Sequence, residues 1–315
     1  MLLEPLLKAF LDQVDAEPGP RMWQVSPVEA RGMLATFMNL VGPKKVPIGE
    51  VRDLEAPGPG GAIRLRSYTP ASAASTVLPT LIFFHGGGFV IGDLDTHDGI
   101  CRLLANESGA RVIAVDYRLS PEHKFPAAVE DARAVFRWIG AHSSGLGVDD
   151  RRLAVGGDSA GGALAAIVAQ TARTDSGPKP AFQLLLFPVT DYAADTRSRR
   201  DYAEGYFLDR WTIAWFFENY VPRGTDLRDP LLSPLHAKDL RGLPPAYLLT
   251  AGCDPLHDEG LEYAERLRAC GVPVAIEDYP GLVHDFIYLH GVLPQAGQAL
   301  RNAALALRTA LRTPE

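Results

Sequence analysis

Val155-Gly156-Gly157-Asp158-Ser159-Ala160-Gly161-Gly162 sets a serine among glycines, between an apolar run and a stretch rich in alanine and leucine. Leu153-Ala154-Val155 reads as a short buried strand. Ala160 to Ala172 has no proline and consists largely of strong helix formers, so strand must pass into helix at the serine. A turn that sharp strains the serine backbone, and only small neighbours at Gly157 and Gly161 leave room for it. The hydroxyl is thereby pushed out at the sheet edge, the arrangement of a nucleophile elbow.

Small-residue turns are common, so the elbow gains weight from its upstream context. Thr80-Leu81-Ile82-Phe83-Phe84 is an apolar strand pattern that ends abruptly in His85-Gly86-Gly87-Gly88. Three consecutive glycines leave backbone N–H groups bare. Acyl transfer develops negative charge on a carbonyl oxygen, and each fixed N–H donor facing it contributes about 3 kcal/mol. Gly87 and Gly88 are the expected donors, with Ala160 as a third.

A neutral hydroxyl needs a base, and the base needs a group that fixes its tautomer. Two later strand patterns end in candidates. Ala246 to Ala251 runs into Gly252-Cys253-Asp254-Pro255, and Val274 to Tyr279 runs into Pro280-Gly281-Leu282-Val283-His284. His97, His123, His142, His236, His257 and His290 lie in helical or loop contexts with no preceding strand, and His85 is tied to the glycine run, whose loop it is expected to shape. Asp258 competes with Asp254, but its position suits the start of a helix over 258–269, where a carboxylate caps free N–H groups.

His85-Gly86-Gly87-Gly88, the run Tyr117 to Ala127, Gly157 to Gly162, Asp254 to Gly260 and His284 together resemble the hormone-sensitive-lipase family of esterases, from about Val51 to near the C-terminus. The resemblance implies an α/β-hydrolase fold, with Ser159 as nucleophile, His284 as base, Asp254 as its orienter, and the Gly87, Gly88 and Ala160 N–H groups as oxyanion hole. It implies ester hydrolysis through an acyl-enzyme without metal or organic cofactor. The family pattern carries glycine after the histidine. This chain has Asp285 instead, a carboxylate that could alter the titration of the base.

Composition agrees. With 315 residues and 47% hydrophobic content the chain can bury one large core. The net charge of −7 offers no basic field for a nucleic acid. Cys101, Cys253 and Cys270 are odd in number and widely spaced, against a disulfide framework or a zinc site and in favour of a reducing, cytoplasmic setting.

Leu2, Leu3, Leu6, Leu7, Phe10, Leu11 and Val14 recur at helical spacing with charges between them, which predicts an amphipathic helix packed over the body rather than a leader or a membrane span. Seven strands, near 63–68, 81–84, 112–115, 153–155, 184–187, 247–250 and 274–276, alternate with helices and predict a mostly parallel sheet covered on both faces. Gly42-Pro43 and Ala56 to Gly61 read as boundary and hairpin.

The expected layout is a helical cap segment over 1–50, catalytic body over 51–190 and 226–315, and a cap insertion over 191–225. Within that insertion Tyr206, Phe207, Trp211 and Trp215 are the candidate walls of an apolar pocket for short- to medium-chain uncharged esters. An amidase or carbamate hydrolase with the same triad is the nearer alternative. A small-molecule receptor on this fold is the farther one, disfavoured by His284. Homodimer formation is left open.

Overall fold

The computed structural model describes residues 2–312 apart from 17–18, 45 and 74. Among the described residues the strands are β1 (Glu50–Gly58), β2 (Gly61–Thr69), β3 (Leu78–Phe84), β4 (Arg111–Asp116), β5 (Val148–Asp158), β6 (Phe182–Leu186), β7 (Ala246–Ala251) and β8 (Val274–Tyr279). They form one sheet in the order β1-β2-β4-β3-β5-β6-β7-β8, antiparallel at β1–β2 and β2–β4 and parallel at every other pairing. Helices α1 (Pro5–Ala16) and α2 (Pro27–Val41) precede the sheet. Then come α3 (Asp98–Ser108), α4 (Ala127–Ala141), α5 (Ser143–Leu146), α6 (Ala160–Ala172), α7 (Arg197–Asp201), α8 (Arg210–Tyr220), α9 (His257–Ala269) and α10 (Pro294–Ala310).

The chain adopts the α/β-hydrolase fold that its motifs imply, and β3 shows why. Ile82 and Phe84 point into a core shared with α4, α6 and α9, whereas Leu81 and Phe83 point into a second core shared with α3 and α10. All four are fully buried, so the strand reads as a continuous apolar run instead of an alternating one. Helix α6 is apolar all round and buried from Ala160 to Ala169, as a helix under the middle of a sheet must be.

Sequence periodicity missed β1. Glu50, Arg52, Asp53 and Glu55 are charged, and Ala56 is the one fully buried residue of the strand, so no apolar alternation marks it. Its pairing with β2 from Glu50↔Thr69 to Gly58↔Gly61 comes from the hairpin, where Gly61 takes φ 128°. The short β8 closes the other edge.

Helix α1 lays Leu7 and Leu11 on the body while Leu6 stays exposed. The Glu4 N–H donates to the Gly281 carbonyl at 2.9 Å. Helix α2 begins at a capping box, in which Ser26 accepts from the Glu29 N–H and Glu29 returns to the Ser26 N–H, with Pro27 in the first turn. The N-terminal segment meets the 197–220 segment through aromatic pairs, Trp23 with Trp211 at 5.8 Å and Phe37 with Phe207 at 5.6 Å. No described helix is long and apolar enough to cross a membrane.

One buried ion pair anchors α7 to the body. Glu259 on α9 has no exposed surface, accepts from Arg199 Nη2 at 2.7 Å and Nε at 3.0 Å, and also takes the Thr190 and Asp191 N–H groups. Arg199→Met leaves that carboxylate buried without its counter-charge and should lower stability by about 3–5 kcal/mol, read as a drop in the denaturation midpoint in urea.

Candidate active site

Ser159 sits between β5 and α6 at φ 53°, ψ −117°, a region that L-residues avoid. The surroundings enforce it. The Ser159 N–H donates to the Leu186 carbonyl at 2.8 Å, which ties the turn to the end of β6. A Cβ at either Gly157 or Gly161 would collide with the Phe84 carbonyl oxygen at the end of β3, so neither position accepts a side chain.

The ends of β5, β7 and β8 bring three side chains into line. Ser159 Oγ lies 2.9 Å from His284 Nε2, and His284 Nδ1 lies 2.7 Å from Asp254 Oδ2. Asp254 Oδ1 accepts the Leu256 N–H at 2.8 Å, which holds the carboxylate in place. When the ring is neutral and Nδ1 donates to the carboxylate, the Nε2 lone pair faces the serine hydroxyl. All three residues are buried. Asp258, the competing acid, is turned elsewhere: it accepts the Ser198 N–H at 2.9 Å and faces His257 at 3.2 Å. It makes no capping bond to its own helix, contrary to the role its sequence position suggests.

Burial alone would make the His284 imidazolium unfavourable, but the Asp254 and Asp285 carboxylates outweigh it and raise the pKa to about 9. Asp285 Oδ2 stands 3.6 Å from His284 Nε2, on the cavity side. Burial lifts the Asp285 carboxyl to about 6.

The loop after β3 supplies N–H groups. Gly87 and Gly88 take φ 108° and 59°, and a Cβ would strike the Ile91 carbonyl at the first and the Phe216 ring at the second. Among the described residues, no acceptor is bonded to the N–H of Gly87, Gly88 or Ala160, whereas the Gly86 N–H is already taken by Asp158 Oδ1 at 3.0 Å. His85 shapes this loop from behind. It is buried, it stacks on Tyr117 at 4.3 Å, and its Nδ1 lies 2.7 Å from the Gly86 carbonyl. Burial pushes its pKa down to about 4, so it is neutral near pH 7.

A cavity of about 690 Å³ opens over the serine. Phe207 and Trp211 line it, but Tyr206 and Trp215 do not. Tyr206 packs edge-on against Tyr202 at 4.9 Å, and Trp215, one turn beyond Trp211, meets Ala30 and the Val90–Ile91 turn instead of open space. Sequence reading overlooked Met22, Trp23, Phe37 and Met38 from the N-terminal segment, and Phe216, all of which line the cavity. It also overlooked Arg31 on α2, whose guanidinium donates to the Val90 and Ser120 carbonyls at 2.9 and 3.0 Å and pairs with Glu122 at 2.7 Å. A lone surface-type arginine carries no sequence signal for such a role.

Comparison with known proteins agrees with the fold. A family model described as alpha/beta hydrolase fold matches residues 81–288. The carboxylic ester hydrolase LipN of Mycobacterium tuberculosis is 48% identical over 76% of this chain, which spans 65%, just under two thirds, of that relative's length. The ethyl acetate hydrolase of Pseudomonas putida is 37% identical over 98% of this chain and 99% of its own. Among solved structures, ester-hydrolase EH1AB1 from the metagenome of Lake Arreo, complexed with a derivative of bipyridine phosphonate, is 44% identical with a TM-score of 0.95, covering 99% of this chain and 100% of its own.

The charges around His284 set a measurable titration. Its imidazole is expected to lose its proton near pH 9 in nitrogen-detected NMR, and Asp285→Asn, which removes one supporting carboxylate, should move that midpoint to lower pH. An unmoved midpoint would show that Asp285 does not act on the base.

Proposed function

The chain belongs to this α/β-hydrolase family and is a carboxylic ester hydrolase, and we propose that it cleaves short- to medium-chain uncharged esters with Ser159 as nucleophile, His284 as general base and Asp254 as its orienter. The observation that carries this reading is the unbroken line from Ser159 Oγ through both ring nitrogens to the Asp254 carboxylate. As Oγ attacks the ester carbonyl carbon, its proton passes to Nε2, and Asp254 stabilises the imidazolium without taking the proton. The carbonyl oxygen, now negative, is met by the Gly87, Gly88 and Ala160 N–H groups. Collapse expels the alcohol, which collects the proton from Nε2, and water repeats the sequence on the acyl-enzyme to release the acid.

Residues 1–50 and 191–225 are assigned to a cap over a body formed by 51–190 and 226–315. Aromatic and thioether side chains from both cap segments wall the cavity, and their apolar surface favours uncharged acyl and alcohol groups over ionic ones. Its volume, about 690 Å³, suits a small ester. Three unpaired cysteines support a reducing, cytoplasmic location.

A panel of p-nitrophenyl esters of increasing acyl length tests the reading. Ser159→Ala and His284→Ala should each lower kcat by at least ~10³-fold with KM little changed, and an anilide series should be much slower than the esters. Hydrolysis surviving in Ser159→Ala would place the chemistry elsewhere. Phe216→Ala enlarges the cavity beside Gly88 and should move the preferred acyl length upward in the same panel.

A further inference from the structure

Most of the cavity wall is apolar, but the end beyond His284 is not. His97, Asp158, Asp285 and Tyr288 line it together. Asp158 and Tyr288 are 0% and 2% exposed, and Asp158 Oδ2, the Tyr288 hydroxyl and Asp285 Oδ1 have no hydrogen-bond partner among the described residues. Buried polar atoms without protein partners are the usual binding groups for ordered water. His97 Nε2 is 3.6 Å from Asp158 Oδ2, too far for a direct bond.

Asp285 projects from a left-handed residue, φ 59° and ψ 18°, directly after the base. That conformation sends its carboxylate round to the Nε2 side of the ring, where Oδ2 stands 3.6 Å from Nε2. A direct bond is excluded at that separation, yet one water can reach both atoms. The spot is also the one the departing alcohol leaves, since leaving group and incoming water exchange protons with the same nitrogen.

We propose that Asp285 seats the water that cleaves the acyl-enzyme. The inference rests on the triad reading above. One water hydrogen is donated to the Asp285 carboxylate, which keeps its charge throughout. The other proton passes to His284 Nε2 as the water oxygen bonds to the acyl carbon and the carbonyl π pair moves onto the oxygen facing the glycine N–H groups. Collapse then breaks the carbon–Oγ bond, Oγ recovers the proton from Nε2, and the carboxylic acid leaves. The ester itself needs no such water, so Asp285 serves the second half of the cycle.

Stopped-flow and quenched mass-spectrometric measurements with p-nitrophenyl butyrate on wild type, Asp285→Gly and Asp285→Asn separate the two halves. Glycine tolerates the left-handed turn, and asparagine keeps an acceptor oxygen without the charge. Each rate constant is taken from the plateau of its own pH profile, which removes the shift in His284 titration, and is normalised to sites counted with a p-nitrophenyl phosphonate. The expected result is acylation within about threefold of wild type in both variants. Deacylation should be slowed tenfold or more in Asp285→Gly and less in Asp285→Asn, with acyl-enzyme accumulating. Equal slowing of both steps, or unchanged deacylation in Asp285→Gly, overturns the proposal. If Asp285→Gly yields no titratable sites, the ratio of the two constants in Asp285→Asn decides, and an unchanged ratio overturns it. Failure to trap any acyl group on Ser159 in the wild type would instead overturn the triad reading, and this inference with it.

Discussion

The close approach of β3 to the start of α6 constrains everything around the serine. The Phe84 carbonyl occupies the space that a side chain at Gly157 or Gly161 would need, and the Leu186 carbonyl holds the Ser159 N–H from the other side. Squeezed between two strand ends, the serine can only adopt its left-handed backbone, and its hydroxyl can only point out of the sheet. The strain is carried by a rigid scaffold, since β3, β5 and β6 lie at the centre of the sheet and are buried on both faces. Because Phe84 also immediately precedes His85 and the glycines, the contact that shapes the elbow places the N–H donors beside it.

Electrostatics at the site divides two buried histidines by their neighbours. His85 faces a backbone carbonyl and an aromatic ring, so burial prevails and the ring stays neutral. His284 is as deeply buried but lies between two carboxylates, which make its imidazolium favourable. On the proposed reading, the two carboxylates stabilise the imidazolium formed as Ser159 gives up its proton, and they also confine the free base to pH values near and above 9.

The helices over the cavity are tied to the reacting parts by polar bonds as well as apolar packing. Arg31 reaches from α2 to the Val90 carbonyl, and the Val90 N–H is itself bonded to the Gly87 carbonyl at 3.0 Å, so the covering helix and the donor loop share a framework. Phe216 on α8 rests on Gly88. Arg199 reaches from α7 to Glu259 at the start of the helix that follows Asp254. Each covering segment is thereby joined to the glycine loop or to the helix that follows Asp254.

Local sequence determined the devices: the serine turn, the glycine run after β3, Asp254 and His284 past later strands, and the alternation that specifies a parallel sheet. Each is legible because its physics is local, in backbone freedom, strand and helix propensity, and turn chemistry. The charged edge strand β1 escaped because it buries too little to leave a pattern. Only the tertiary structure decided which aromatic rings face the cavity, that Arg31 braces the donor loop, that Asp258 turns toward α7, and that Asp285 lies on the cavity side of the base. Those outcomes depend on how segments far apart in the chain approach one another, as Ser159 and His284 do across 125 positions. Strand order and helix packing fix such meetings, and neither is written in any single stretch of residues.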